Sequence, residues 1–285
     1  SNPGGLFRLN SPKGQLYYVK GGESEDNVKN EVLTAEFYRR VGIPISDMKL
    51  IYPCPDEYRY VGMICLGSPM IEARKGSIEE LRKAKLVQGG FAMDAWLGNW
   101  DVIGLVNDNI LIRPDGVGVR IDVGGALRYR ATGGLKGDSF SNEVNELEWF
   151  GPPNPTAGGG AGLNAARVFG VMSYNDVIRS AEKTVLTLSE RDIESIVNSV
   201  YDESYEQHIR NELISKLIAR RNYIIEYVRK HKSRCRTPSP APRPRQQTWG
   251  ETFRSIRDST SRFARTYGPA AAATAAAGAY YLSHQ

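Results

Sequence analysis

The sequence has little of what builds metal centres or disulfide frameworks. Its 285 residues hold three cysteines and three histidines. Cys54, Cys65 and Cys235 show no C-x-x-C spacing, and His208, His231 and His284 lie far apart, which argues against a His/Cys metal site. An odd, small cysteine number argues against a disulfide framework and predicts free thiols in a reducing compartment. No apolar run reaches the ~20 residues that cross a bilayer, so a soluble protein is expected. A signal-peptide pattern is missing too. The chain starts without Met and opens directly into what reads as a functional loop, so it is expected to be part of something longer. Internal repeats are absent.

Charge is similarly one-sided in place rather than in amount. The formal net charge is +5, with 37 basic and 32 acidic residues. From residue 233 onward eight arginines face only Glu251 and Asp258, so the tail carries +6 and the remainder −1. A near-neutral body excludes a nucleic-acid surface spread over the whole protein. The tail divides into a Pro/Arg-rich linker at 233–250 and a basic, then Ala-rich, stretch at 251–285. Proline removes donors and fixes φ, so the linker cannot hold a helix or a sheet. The basic stretch suits an anionic surface or partner.

What is present is a small β-rich part followed by a helical one. Leu6–Leu9 and Gln15–Lys20 flank a Ser11-Pro12-Lys13-Gly14 turn and predict a hairpin. A helix follows from about Asp26 to Val41, capped by Asp26 or Asn27 and ended by Gly42 and Pro44. Val28, Val32, Ala35 and Arg39 share one face beside Leu33 and Phe37, which reads as amphipathic. Met48–Tyr52 and Arg59–Leu66 predict two more strands. Ser77 with Glu80 forms a capping-box pattern at the head of a helical stretch to Trp96, loosened by Gly89-Gly90. Residues 131–162 read as long loops, and Ser189–Lys230 as two helices.

The chemistry concentrates at 98–125. A tight turn centred between Asp115 and Gly116 sets Asn109 directly opposite Asp122 in a hairpin. An amide oxygen beside a carboxylate suits Mg²⁺, which takes oxygen ligands and keeps substrate phosphates in its shell. Asp101, in Gly98-Asn99-Trp100-Asp101, sits on a loop at the lip of that hairpin, where a carboxylate can take a proton from an attacking hydroxyl. Upstream, Lys20 closes a Leu-Tyr-Tyr-Val-Lys strand, and Glu31 or Glu36 lies on the helix that follows. Gly4 and Gly5 stand just before the first strand, where glycines let backbone N–H groups approach phosphates.

These segments resemble a known superfamily. Asn107-Asp108-Asn109-Ile110-Leu111-Ile112 is similar to the end of the catalytic loop in protein kinases and phosphatidylinositol kinases. Ile121-Asp122-Val123-Gly124-Gly125 resembles their metal-binding Asp motif. Gly98-Asn99-Trp100-Asp101 and Asn30-Glu31-Val32-Leu33 are closest to HipA-like and phosphatidylinositol-kinase-like members. The resemblance implies an α+β, bilobal protein-kinase-like fold. Its β-rich N-lobe with one helix would span 1–68 and its mostly helical C-lobe 69–232.

It also implies ATP and Mg²⁺ as cofactors. Asp101 would be the base, Lys20 the phosphate-holding lysine, Glu31 its orienting acid, and Asn109 and Asp122 the metal ligands. Gly4 and Gly5 would cover phosphates, and the Met63–Cys65 backbone would pair with adenine. The spacing departs from the family, whose base and Asn stand five positions apart against eight here, so Asn107 is a second candidate ligand. The His-Arg that precedes the kinase base is replaced by Asn99-Trp100, and no Ala-Pro-Glu signature follows. Arg128, Arg130 and Lys136 occupy the place of an activation segment and could meet an anionic substrate or a phosphorylated residue. The implied activity is γ-phosphoryl transfer to a Ser/Thr hydroxyl of a protein partner, or to a lipid or inositol headgroup. The same residues also suit a pseudokinase that only binds nucleotide, or another nucleotide-dependent transfer. An interaction domain working through its Pro-rich tail is a third reading.

Overall fold

The structure, a computed structural model, describes residues 4–8, 16–52, 54, 64–156 and 160–235. Met63, the Ser11–Gly14 turn and the tail beyond Cys235 lie outside the described residues.

The first lobe is a four-stranded antiparallel sheet with one helix. β1 (Gly4–Arg8) pairs with β2 (Leu16–Lys20), and β4 (Cys65–Pro69) lies between β2 and β3 (Lys49–Ile51). Between β2 and β3 runs helix α1 (Glu25–Arg40). Its N-cap is Ser24, whose Oγ accepts from Asn27 N–H at 3.1 Å, not Asp26 or Asn27 as the sequence suggests. Asp26 is engaged elsewhere, by Arg128, Tyr129 and Tyr201. Glu25 and Asp26 in the first turn and Arg39 and Arg40 in the last complement the helix dipole.

The amphipathic reading of α1 needs correction. Eleven of its residues are buried, including Asn27, Lys29, Asn30, Glu31 and Thr34. One side packs on β3 and β4, and the other meets the Glu190–Val200 helix of the second lobe. The polar stripe is therefore an internal wall, and each polar group on it needs a partner. Lys29 Nζ finds Glu206 at 2.7 Å, and Thr34 Oγ1 donates to Asn30 O at 2.7 Å.

The second lobe holds a three-stranded sheet, β5 (Arg74–Lys75), β6 (Ile110–Ile112) and β7 (Gly118–Arg120). Around it lie α2 (Ile78–Lys83), α3 (Phe91–Trp96), α4 (Glu146–Phe150), α5 (Gly160–Phe169), α6 (Tyr174–Lys183), α7 (Glu190–Val200) and α8 (Gln207–Cys235). The Ser77/Glu80 capping box is present, and Ser173/Asp176 and Ser189/Asp192 repeat it at α6 and α7. Helix α4 interrupts the stretch read as loop, and α8 runs three residues into the segment read as linker. The sequence reading leaves α6 and most of α5 unassigned.

Of the strand expected at Arg59–Leu66, Cys65 and Leu66 lie in β4, and 59–63 lie outside the described residues. One first-lobe expectation also changes. Cys54 and Cys65 form a disulfide with Cα atoms 5.2 Å apart, so the free-thiol reading does not hold for this pair. The bridge sits in a small dry cluster with Val19.

One continuous apolar core runs from α1 to α8. Two arginines are buried within it. Arg220 donates to the carbonyls of Ala95, Trp96, Ser141 and Glu143 and to Glu146, tying α8 to α3 and α4. Arg120 on β7 meets Asp94 on α3 at 2.5 and 2.7 Å, and Tyr38 of α1 donates to the same carboxylate at 2.6 Å. This network joins both lobes behind the site. Removing one partner of a buried pair leaves an uncompensated charge, so Asp94→Ala should cost about 3–5 kcal/mol. Ser77→Ala, which removes only a cap, should cost about 1 kcal/mol. Urea denaturation of the two variants beside the parent checks the contrast.

Candidate active site

Lys20 is the last residue of β2, and main-chain pairing with Leu66 on β4 holds it in place. Its side chain turns toward α1, where Nζ lies 2.8 Å from Glu31 Oε2 and 3.4 Å from Asp122 Oδ1. Burial works to lower the lysine pKa, but Glu31 and then Asp122 overcome it and hold Lys20 above the ordinary lysine range. Burial pushes the Glu31 carboxyl up against the pull of Lys20. Glu36, the other candidate, faces outward and pairs with Arg39, so the choice falls on Glu31. Lys20, Glu31 and Asp122 line a pocket of about 240 Å³, closed by Tyr18 from the sheet and by Arg130 and Thr132 from the loop after Asp122.

Gly4 and Gly5 are not a loop ahead of the first strand but its first two residues, opposite Lys20 and Val19. Cys65 is fully buried, disulfide-bonded and at the inner start of β4, and the structure does not bring it to the pocket.

The hairpin register differs by one from the expected one. Ile110 faces Arg120 and Ile112 faces Gly118, which puts Asn109 opposite Ile121 rather than Asp122. The cause is the turn. Arg113 N–H donates to Val117 O and Gly116 N–H to Arg113 O, with Gly116 at φ +79°, so three residues form the loop. Asp115 Oδ1 accepts from Val117 N–H and closes this longer turn. Asn109 still stays beside the metal-motif loop, because its carbonyl accepts from Ile121 N–H at 2.9 Å. Its Nδ2 donates to Asp101 O at 2.5 Å.

Asp101 reaches Asp122 through glycine. Trp100 N–H donates to Gly125 O at 3.2 Å, and a Cβ placed on Gly125 would stand 3.0 Å from Asp101 Cβ. On Gly124 it would meet Glu31 Oε1 at 3.0 Å and Asp122 Oδ1 at 3.4 Å. The Asp-x-Gly-Gly pattern thus lets three acidic side chains crowd one loop. Burial pushes the Asp101 carboxyl up to about 6, with Asp122 and Asp108 adding to it and the Asn109 amide opposing it. Asp101 Oδ1 and Asn107 Oδ1 are shielded from solvent without a hydrogen-bond partner. The orphaned Asp101 acceptor, which feels the charge of the half-exposed Asp122, fits a hard cation. Among the described residues no cluster of three or more His, Cys, Asp or Glu side chains is poised to hold a metal. Magnesium that arrives on phosphates needs only one or two protein carboxylates.

Sequence reasoning missed how this loop is held. Asn30 donates to Ala126 O and accepts from Arg128 N–H, so α1 grips the main chain four residues beyond Asp122. Asp26 binds Arg128, Tyr129 and Tyr201. Asn30 precedes Glu31 in the Asn-Glu-Val-Leu motif, and that adjacency was the available signal. The three cations read as substrate contacts separate: Arg128 pairs with Asp26, Arg130 lies over Trp100 and lines the pocket, and Lys136 is buried.

The sequence matches no protein-family model and no curated protein. Its structure is similar to the crystal structure of the proinflammatory kinase CtkA of Helicobacter pylori, with a TM-score of 0.52 at 13% identity. The match covers 82% of this chain and 92% of that one. The chain therefore has a kinase-like, bilobal α+β fold.

In the protein without nucleotide or metal, the raised Asp101 pKa makes a stability prediction. Unfolded Asp101 ionises near 3.8, whereas the folded carboxyl holds its proton to about pH 6. Its stabilising contribution is complete below the lower value and is lost as pH rises through the upper. Asp101→Asn should therefore gain up to about 3 kcal/mol on the parent between pH 4 and pH 7.5. Urea denaturation at the two pH values reads this, and a constant difference would mean that Asp101 titrates normally.

Proposed function

We propose that this chain is an ATP·Mg²⁺-dependent kinase that transfers the γ-phosphoryl group to a Ser or Thr hydroxyl of a protein, in the HipA-like and phosphatidylinositol-kinase-like branch. The observation that carries the reading is the meeting of Lys20, Glu31 and Asp122 in one pocket, two from the first lobe and one from the second. A lysine held charged by a helix carboxylate is the arrangement that retains nucleotide phosphates.

The residues divide the work. Glu31 aims Lys20 at the phosphates. Asp122 offers a half-exposed carboxylate, and the Asn109 carboxamide, fixed through its Nδ2, completes the ligand set. Magnesium, when bound, neutralises charge on the phosphates. Asp101 takes the proton of the acceptor hydroxyl as its oxygen attacks. With a pKa of about 6 it is mostly ionised at pH 7 and ready to act as base. Gly4, opposite Lys20, sets main chain rather than a side chain beside the phosphates. The name of the Helicobacter protein as a kinase supports the reading in kind.

The test is incubation with γ-labelled ATP and Mg²⁺, using the chain itself, a Ser/Thr-rich protein mixture and phosphatidylinositol vesicles as acceptors. Label should enter protein. Asp101→Ala should reduce it about 10²–10⁴-fold, and Asp122→Ala should abolish it. Label in the vesicles alone would assign a lipid kinase. Transfer from α-labelled ATP instead would assign adenylylation. Thermal stabilisation by Mg²⁺·ATP with no transfer at all would leave a nucleotide-binding module.

A further inference from the structure

Lys136 is the most unusual charge in the second lobe. It follows the exposed Gly134 and Leu135, yet it is only 3% exposed. Its Nζ donates to Gly98 O at 2.6 Å, Gly125 O at 2.9 Å and Leu127 O at 3.0 Å. An ammonium has three N–H donors, and all three are used. The Trp100 ring centroid lies 4.4 Å from the nitrogen and that of Phe140 5.6 Å, so the remaining surroundings are aromatic faces.

The three carbonyls belong to two different segments. Gly98, at φ +59°, opens the Gly-Asn-Trp-Asp loop that ends on the candidate base. Gly125 and Leu127 lie on the loop that begins with Asp122, and Leu127 holds a left-handed φ of +50° that a leucine rarely adopts. Gly125 O accepts from Lys136 and from Trp100 N–H together. One cation thus fastens the base loop to the metal-motif loop at the point where their main chains touch.

Packing alone does not explain a lysine here. Among the described residues no ion pair involves it, and the acid whose charge reaches it, Glu146, is taken by Trp100 and Arg220. Burial holds its pKa well below the ordinary lysine value, with Arg220 and Arg130 adding to the effect and Glu146 opposing it. An apolar side chain of the same length would fill the space without that cost.

We infer that Lys136 is a positioning residue, which sets the separation of Asp101 from Asp122 by clamping Gly98, Gly125 and Leu127. The inference rests on the phosphotransfer reading for its consequence but not for the clamp itself. It goes beyond the sequence expectation, which had Lys136 meeting a substrate.

The full chain is compared with Lys136→Met and Lys136→Arg by hydrogen–deuterium exchange and by labelled-phosphate transfer. In Lys136→Met, peptides over 96–103 and 121–130 should exchange at least about tenfold faster while α6 and α7 stay as in the parent. Its kcat should fall about 100-fold, because a small misplacement of base against substrate is enough. KM for ATP should stay within a few fold, since Lys20 and Glu31 do not touch Lys136. Lys136→Arg keeps the charge but has a flat fork, and should recover part of kcat. Unchanged exchange in both peptides overturns the inference whatever the activity, and so does a fall in transfer that comes only from a raised KM. If the loops loosen but the parent transfers no phosphate, the clamp stands and the kinase reading falls. Should Lys136→Met fail to fold, Lys136→Gln takes its place with the same readouts, and parental exchange in both peptides there overturns the inference.

Discussion

A lysine taken out of water has to be answered by negative charge, and at Lys20 the answer comes from both lobes at once. Glu31 supplies it from α1 and Asp122 from the far side of the hinge. That demand sets much of the surrounding architecture. β2 must stop at residue 20, α1 must begin within a few residues, and the turn of α1 that carries Glu31 must face inward. The glycines after Asp122 then follow, because a side chain at either would press on Glu31, Asp122 or Asp101. The Ser24 cap and the Asn30 bridges fix the helix on its axis while the charge pair fixes its rotation.

Where the chemistry depended on short spans of chain, the sequence was readable. Lys20 at the close of a strand and Glu31 two turns into the next helix lie on adjacent elements, and the resemblance carried by Asn30-Glu31-Val32-Leu33 singles out Glu31 over Glu36. The capping box at Ser77 was legible for the same reason. Asp101, Asn109 and Asp122 could be grouped because one hairpin and its lip contain them all.

The errors arise where a small local choice has a long reach. Whether Pro114-Asp115-Gly116 closes as a two- or a three-residue loop is decided by one side-chain bond, from Val117 N–H to Asp115, and it moves every cross-strand partner by one. Lys136 reads as a cation offered to an anionic substrate, because nothing in its neighbours announces a buried tripod of carbonyls. Those acceptors lie 9 to 38 residues away in sequence. Cys54 and Cys65 were read as free from their number, whereas pairing is decided by the strand that brings them together. The polar face of α1 reads as solvent-exposed in any single helix, and only the second lobe, unseen in a local window, turns it inward.

The burial of α1 on two sides has a mechanical outcome. Lys29 is bonded to Glu206, Arg40 to Asp192, Asn30 to the loop at 126–128 and Tyr38 to Asp94, all in the larger lobe. Swinging this helix outward would strip Lys29, Asn30 and Tyr38 of their partners in a dry interior and break the surface Arg40–Asp192 pair. The helix is therefore held to the larger lobe along its length, and through the Lys20–Glu31 pair it carries that hold to the four-stranded sheet.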